Sequence, residues 1–393
     1  MGQIEQKSDF DYLNVFAELT EAQENWRQVA NSVVSKYLQP GVSEAFDKNH
    51  FDRDIPQILG SHSLIGPHVW TDSGDLADPI ASGLIMRELE RCDSSYRSFA
   101  SVQGSLVMYP IKKYGSDSQK EKWLPNLAAG KSIGGFALTE PQGGSDPSNM
   151  QTVLTKSEEG LRLRGKKRWV TNGPIADVIV VWARGEDGIQ GVLLPTDRPG
   201  IKIRKIDRKL SLCISESSEI EFDDVLLEDV DCLPGANSIG KALDCLNQAR
   251  YGIIWGVLGA AESCLVETLN YCDERKLFKK KLSGFQLVQA KLSDCCLKLT
   301  QGQLLAMQLG RLKSSKAGIA PHEVSIGKQG NVHMALEVAR TCRDILGANG
   351  VLLDFHSMRH MVNLETVFTY EGAHDIHRLI VGLNMTGENA FAN

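Results

Sequence analysis

The hydrophobic period of this chain changes twice along its length, and that restricts the layers it can build. Up to about residue 132 apolar residues recur at helical spacing, as in Ile80-Ala81-Ser82-Gly83-Leu84-Ile85-Met86-Arg87-Glu88-Leu89-Glu90. From 133 to 238 the period shortens. Val178-Ile179-Val180-Val181-Trp182 and Gly191-Val192-Leu193-Leu194 are short β-rich runs punctuated by Gly, Pro and Asp. Leu161-Arg162-Leu163-Arg164 and Ile201-Lys202-Ile203-Arg204 alternate strictly, as half-buried antiparallel strands do. From 239 onward long helical patterns return. Phe285 to Leu312 keeps apolar residues at i, i+3, i+4 and i+7, and a second long stretch stops near Leu346, before Gly347-Ala348-Asn349-Gly350. The reading is an α+β protein: an N-terminal helical domain (1–132), a middle antiparallel β domain (133–238) and a C-terminal four-helix bundle (239–393), the last a common source of oligomer interfaces.

A chain of 393 residues exceeds one simple core and suits two or three packed units. Its net charge of −6 gives no electrostatic reason to expect nucleic acid. No apolar run approaches the roughly 20 residues that span a bilayer, and Met1-Gly2-Gln3-Ile4-Glu5-Gln6-Lys7 has neither the apolar core of a signal peptide nor an Arg-rich presequence. The chain as given reads as cytoplasmic, or as mitochondrial matrix if a presequence has been removed. Nine scattered cysteines without a CxxC pair read as reduced thiols.

The standard nucleotide cradles are absent, with no G-x-G-x-x-G after a strand and no Walker sequence, and there is no G-x-S-x-G elbow. His356/His360 and His374/His377 would each share a helical face, but without a third ligand they read as solvated or hydrogen-bonded histidines, and no metal is expected. Four segments remain. In Phe136-Ala137-Leu138-Thr139-Glu140-Pro141-Gln142-Gly143-Gly144-Ser145-Asp146-Pro147, glycines and hydroxyls would let backbone amides approach an anionic or ring-shaped ligand, the alternative being a plain surface turn. Trp169-Val170-Thr171-Asn172 puts an aromatic and a hydroxyl on one side of a strand. Arg97, in Tyr96-Arg97-Ser98, offers planar donors for a carboxylate, or else a surface ion pair with Glu90 or Asp93. Glu371, in Tyr370-Glu371-Gly372, is a carboxylate among aromatic neighbours whose burial would make it a proton acceptor, the alternative being a helix-starting Glu.

Taken in order, these segments resemble the acyl-CoA dehydrogenase family, and within it the glutaryl-CoA dehydrogenases. The similarity runs from about Ile80 to Phe391 through Arg87-Glu88-Leu89-Glu90-Arg91, Ser105-Leu106-Val107-Met108, the Leu138-to-Pro147 loop, Val180-Val181-Trp182-Ala183-Arg184, Arg250-Tyr251-Gly252-Ile253 and Tyr370-Glu371-Gly372 with His374-Asp375-Ile376-His377. The resemblance implies that three-domain fold, a homotetramer, FAD as cofactor, and dehydrogenation of an acyl-CoA, with electron-transfer flavoprotein or another acceptor. It implies Glu371 as catalytic base. Some branches carry their base near Ala249-Arg250, where Ala249 cannot serve. Phe136, Leu138, Thr139, Gly144, Ser145, Trp169 and Thr171 would line the flavin. Arg275, Phe278, Gln286, Asp344, Leu346 and Gly347 match positions that bind FAD across a subunit interface. Tyr370, Arg250, Gly372 and Ser145 would face the substrate. Arg97 and Ser98, with Glu90 close by, match the pair holding the distal carboxylate of glutaryl-CoA, whose oxidised product loses carbon dioxide to give crotonyl-CoA.

The chain departs from the family pattern where ligands belong. Phe-Gly-x-Pro-Leu is here Phe278-Lys279-Lys280-Lys281-Leu282; Ala348 and Ala373 replace a glycine and a threonine, and Cys213 an arginine. These changes leave two other readings open: a biosynthetic enzyme acting on a carrier-protein-tethered acyl or aminoacyl group, by oxidation or by redox-neutral carbanion chemistry such as ring closure, and a non-catalytic binding protein of the same fold.

Overall fold

The structure, a computed structural model, describes residues 10–70 and 78–391; the N-terminal heptapeptide discussed above lies outside them. Helices come first: α1 (Glu21–Val33), α2 (Val42–Asp47), α3 (Ile55–Ser61), α4 (Pro67–Trp70), α5 (Pro79–Cys92), α6 (Ser94–Ser101), α7 (Tyr109–Tyr114) and α8 (Asp117–Ala128), with a π-helical stretch, Val102–Met108, joining α6 to α7. Asp78 starts α5 by accepting the amides of Ile80 and Ala81 at 2.6 and 2.9 Å, ahead of Pro79. The periodic Ile80–Glu90 segment has no solvent face. It is wedged between α1, α6, α9 and α10, so Arg87, Glu88 and Glu90 are buried with the apolar residues and must find charged partners.

The middle region holds β1 (Gly134–Ala137), β2 (Val153–Ser157), β3 (Gly160–Thr171), β4 (Val178–Gly185), β5 (Gly188–Pro195), β6 (Ile201–Lys205) and β7 (Ser217–Leu227) in the order β1-β4-β2-β3-β7-β6, with β5 also on β4. The hairpins are antiparallel, with Thr155 opposite Arg162 and Val181 opposite Val192. β1 differs from the antiparallel expectation: Phe136 lies opposite Val180 in a parallel pair, which the long crossover through β2 and β3 permits.

The last region is α9 (Ile239–Glu274), a short hairpin of β8 (Lys276–Leu277) and β9 (Lys280–Lys281), then α10 (Gln286–Ser314), α11 (Pro321–Ile345), α12 (His356–Thr369) and α13 (His374–Thr386). α9 is not an uninterrupted apolar run, since it carries Arg250, Glu262 and Glu267 among its apolar residues. Its 36 residues are long and apolar enough by composition, with a mean hydropathy of 1.4 over the best window, yet 78% of that window is buried inside the protein. It is the central helix of the bundle. Glycines let it approach α5 closely. A Cβ at Gly256 would stand 2.1 Å from Glu90 Oε2, and one at Gly259 2.0 Å from the Arg87 carbonyl.

Candidate active site

The pocket begins at the corner between α5 and α6. Asp93 caps α6, accepting the Ser95 amide at 2.8 Å, and its other oxygen accepts from Arg359 at 2.7 Å and Asn363 at 2.9 Å of α12. That buried tie fixes Tyr96, Arg97 and Ser98 against the C-terminal bundle. Of the two sequence alternatives for Arg97, the ion pair exists, but not on a surface. Arg97 Nε donates to Glu90 Oε2 at 2.6 Å with both side chains fully buried, while Ser94 Oγ donates to Glu90 Oε1 at 2.8 Å. Burial works against the Arg97 charge, but Glu90 and Tyr370 more than offset it and raise its pKa. Nη2 donates to the Tyr370 hydroxyl, and Nη1 is buried with no hydrogen-bond partner among the described residues.

Tyr370-Glu371-Gly372 is the turn from α12 to α13, so Glu371 is not the first residue of a helix. Glu371 has φ +51° and Gly372 φ +94°, both left-handed. Arg250 Nε, from α9, donates to the Glu371 carbonyl at 2.7 Å. The Glu371 side chain is different: its Oε2 is buried and accepts no hydrogen bond among the described residues. Burial raises its pKa, and Arg97, Arg250 and Lys328 pull the other way without winning. Ala249, just before Arg250, is wholly buried and offers no acid–base group.

Sequence reading missed Lys328 of α11, whose Nζ donates to the carbonyls of Tyr370 and Gly372 at 3.0 and 2.9 Å. The available signal was a lysine on the i, i+4 stripe of Val324, Val332 and Leu336. Of the two alternatives for the histidine pairs, hydrogen bonding holds for His377 and His356: buried His377 meets Ser325 Oγ through Nδ1 at 3.1 Å, and half-buried His356 meets Ser263 Oγ through Nδ1 at 3.0 Å, while His360 is fully buried. Among the described residues no cluster of His, Cys, Asp and Glu could hold a metal.

A second group lies on the β region. Phe136 and Leu138 are buried at the end of β1, with Thr139 half-buried and Gly144 and Ser145 exposed beyond them. A buried ion pair shapes this loop. Lys167 Nζ donates to Glu140 Oε1 at 2.8 Å and to the Leu138 carbonyl at 2.9 Å, while Glu140 also accepts the Gln151 and Thr152 amides. Burial disfavours the Glu140 charge, but Lys167 and the Thr152 and Gln151 bonds hold its pKa down at about 2. The strand alternation expected at Trp169 and Thr171 is broken by a bulge. The β3–β7 register shifts between Arg168 and Val170, Trp169 takes φ +61°, and its side chain is 54% exposed beside half-buried Thr171. An indole turned off the sheet, a loop with Gly144 packed close to Thr139, and the hydroxyls of Thr139, Ser145 and Thr171 form a donor set that suits a flat heteroaromatic ring.

The third predicted group stands apart from both. Arg275 ends α9, some 25 residues or roughly 37 Å of helix from Arg250. Phe278 and Lys279 form the β8–β9 turn with φ +48° and +68°, so lysine adopts the backbone a glycine would favour, and Phe278 is 90% exposed. Gln286 opens α10 and is exposed. Asp344, near the end of α11, pairs with Lys291 at 2.5 Å; Leu346 is buried, and Gly347 and Ala348 are exposed. Lys281 pairs with Asp273, and Lys280 lies over the Phe285 ring. Ala373 caps α13 without a side-chain bond. Cys213 is buried in the loop that docks on α12 through the Leu212 amide and Asn363, and burial pushes its thiol pKa up.

Comparison with known proteins gives the same order of parts. Models of the acyl-CoA dehydrogenase N-terminal, middle and C-terminal domains match residues 20–131, 135–225 and 239–386. The mitochondrial short-chain specific acyl-CoA dehydrogenase of Bos taurus is 30% identical over 372 residues, covering 93% of this chain and 90% of its own. Among solved structures, a glutaryl-CoA dehydrogenase from Mycobacterium smegmatis in complex with FADH2 superposes with a TM-score of 0.95 at 41% identity, over 98% of this chain and 99% of that one. Another structure of glutaryl-CoA dehydrogenase from the same organism gives 0.93 at 45% identity, over 96% and 97%. With the three family domains matched in sequence order and nearly the whole length shared with such relatives, this chain belongs to the acyl-CoA dehydrogenase family.

Proposed function

We propose that the protein oxidises the α,β-carbons of an acyl thioester whose acyl chain ends in a carboxylate, as glutaryl-CoA does, with Glu371 as base. The observation that carries this reading is one buried line of groups. Among the described residues, Glu371 Oε2 accepts no hydrogen bond and stands beside Tyr370, which Arg97 joins, and Arg97 keeps Nη1 buried and without a hydrogen bond in front of Glu90. The thioester carbonyl acidifies the α-hydrogen, and a carboxylate with a raised pKa is a competent acceptor for that proton. Arg97 offers a charge-assisted donor to the far carboxylate, and Glu90 sets the plane of the guanidinium. That the neighbours just named are glutaryl-CoA dehydrogenases supports the choice of acyl chain.

As in its family, the cofactor is FAD. Phe136, Leu138, Thr139, Gly144, Ser145, Trp169 and Thr171 would hold its ring, and bound FAD supplies the acceptor for the two electrons leaving the substrate. Arg275, Phe278, Gln286, Asp344, Leu346 and Gly347 fit a role toward the cofactor of a neighbouring subunit in a homotetramer, which the length of α9 and the exposure of Phe278 support. The same reading includes decarboxylation. In the unsaturated product the bond to the far carboxylate is conjugated with the thioester. Its electron pair moves into the acyl chain as carbon dioxide leaves, and the proton held by Glu371 returns to carbon, giving crotonyl-CoA.

The test is anaerobic mixing of the flavin-loaded protein with glutaryl-CoA. Bleaching of the flavin absorbance, with release of carbon dioxide, is the expected result; no bleaching by glutaryl-CoA refutes the substrate. Arg97→Ala should slow bleaching by glutaryl-CoA on the order of 10²-fold, the cost of one unpaired buried charge contact, and by butyryl-CoA only a few-fold. Equal losses on both would remove Arg97 from carboxylate recognition.

A further inference from the structure

Every carbonyl of the Tyr370-Glu371-Gly372 turn is held by a cationic side chain. Arg250 takes the middle one, and Lys328 Nζ bridges the two that flank it, Tyr370 O at 3.0 Å and Gly372 O at 2.9 Å. The turn needs holding, because Glu371 is an L-residue in the left-handed region. Lys328 reaches it from α11 with its side chain buried, and its two hydrogen bonds go to backbone. Its ammonium therefore grips the main chain on both sides of Glu371, whose buried Oε2 accepts no hydrogen bond among the described residues.

We infer that Lys328 is a positioning residue for Glu371: its two hydrogen bonds to the flanking carbonyls aim the carboxylate, and the ammonium charge favours its ionised form. The inference rests on Glu371 being the base. The groups facing Lys328 are Glu371 and Tyr370 from the turn, Arg250 from α9, Arg97 from α6, and His374 and His377 from α13. Burial lowers the pKa of both histidines, that of His377 to about 3, and the two arginines stay charged. Burial raises the pKa of Tyr370, so its hydroxyl stays protonated. That leaves Glu371 and Lys328 as the pair that changes charge. Burial brings Lys328 down to about 7, so it is positive below that pH, and its charge pulls the Glu371 pKa down against burial. Removing that positive charge must move the Glu371 titration to higher pH.

The experiment is rapid-mixing reduction of the flavin by glutaryl-CoA across pH, on flavin-loaded wild type, Lys328→Met and Lys328→Gln. Lys328→Met should reduce the rate roughly 100-fold, as misplacing a reacting group by about 1 Å does. KM should change little, and the acid limb of the profile should move to higher pH. Lys328→Gln keeps N–H donors without charge, so it should recover part of the rate and keep the displaced limb. It also decides the matter if the methionine variant fails to fold. An unmoved acid limb in either folded variant, or a rate loss matched by equal loss of bound flavin and of melting temperature, overturns the inference and makes Lys328 structural. Glu371→Gln run alongside separates the two readings. If it still reduces flavin, the base assignment fails and the lysine role with it; if it is inactive while the lysine variants are normal, the lysine role alone fails.

Discussion

Two ionic clusters sit about one helical turn apart along α9, one beside Gly259 and one beside Gly256, and both set glutamates against basic side chains. In the first, buried Arg87, Glu88 and Glu262 meet half-buried Arg91, and all four carboxylate oxygens accept a bond. Glu88 takes Arg87 at 2.5 Å on one oxygen and Asn31 at 3.0 Å on the other, while Glu262 takes Arg87 on one and Arg91 at 2.6 Å with the Phe10 amide at 2.8 Å on the other. Burial disfavours the Glu88 charge, but Arg87 and Arg91 overcome it and leave its pKa lowered. In the second cluster Arg97, Arg250 and Lys328 face Glu90 and Glu371, and Glu371 Oε2 accepts no hydrogen bond among the described residues. Complete pairing turns buried charge into structure. Incomplete pairing leaves a carboxylate with a raised pKa, which is the condition for a base.

The sharpest way to break that contrast is to neutralise one carboxylate in each cluster. Glu371→Gln should lower the rate of flavin reduction on the order of 10³-fold while melting temperature and bound flavin are kept; unaltered turnover would place the base elsewhere. Glu262→Gln should do the reverse, costing about 3–5 kcal/mol of stability by leaving the buried Arg87 guanidinium against a neutral group. Thermal denaturation reads the loss, and the reduction rate per folded, flavin-loaded protein should hold. A large catalytic loss there would mean the two clusters work as one.

Acid should separate the clusters without mutation. The raised pKa of Glu371 makes activity fall tenfold per pH unit below a limb lying above the ordinary carboxylate range. The folded pKa of Glu88 is lowered, so its contribution to stability is present above its unfolded value near 4.5 and is lost only as pH falls through the lower folded one. Activity measured against pH should therefore fail while the melting temperature is still unchanged; simultaneous loss would erase the distinction. The smallest expected effect is that of Asn31→Ala, which deletes one bond to Glu88, should cost about 1–2 kcal/mol and should leave the reduction rate alone.

Much of this architecture was legible because it is local. The switch from helical to strand period marks where β1 and α9 begin, and the glycine-rich stop after Ile345 ends α11. Other features escaped because a single segment does not contain their cause. Trp169 reads as an ordinary strand residue until the β3–β7 pairing forces a bulge beneath it. Ile80–Glu90 reads as an amphipathic helix until four other helices close around it. α9 reads as one more bundle helix, and only its surroundings tell a buried core helix from a span of equal length and apolarity.

For the site the division is the same. The sequence by itself determined the family, the layer order, and the presence of a carboxylate in an aromatic turn, because period, turn chemistry and motif spacing are written in consecutive residues. Only the tertiary structure decided that Arg97 pairs with Glu90 inside the protein, that Arg250 and Lys328 hold the turn around Glu371, and that one Glu371 oxygen accepts no hydrogen bond among the described residues. The physical reason is that a proton affinity is set by burial and by charges within a few ångströms. Here those charges come from α6, α9 and α11, far apart in the chain.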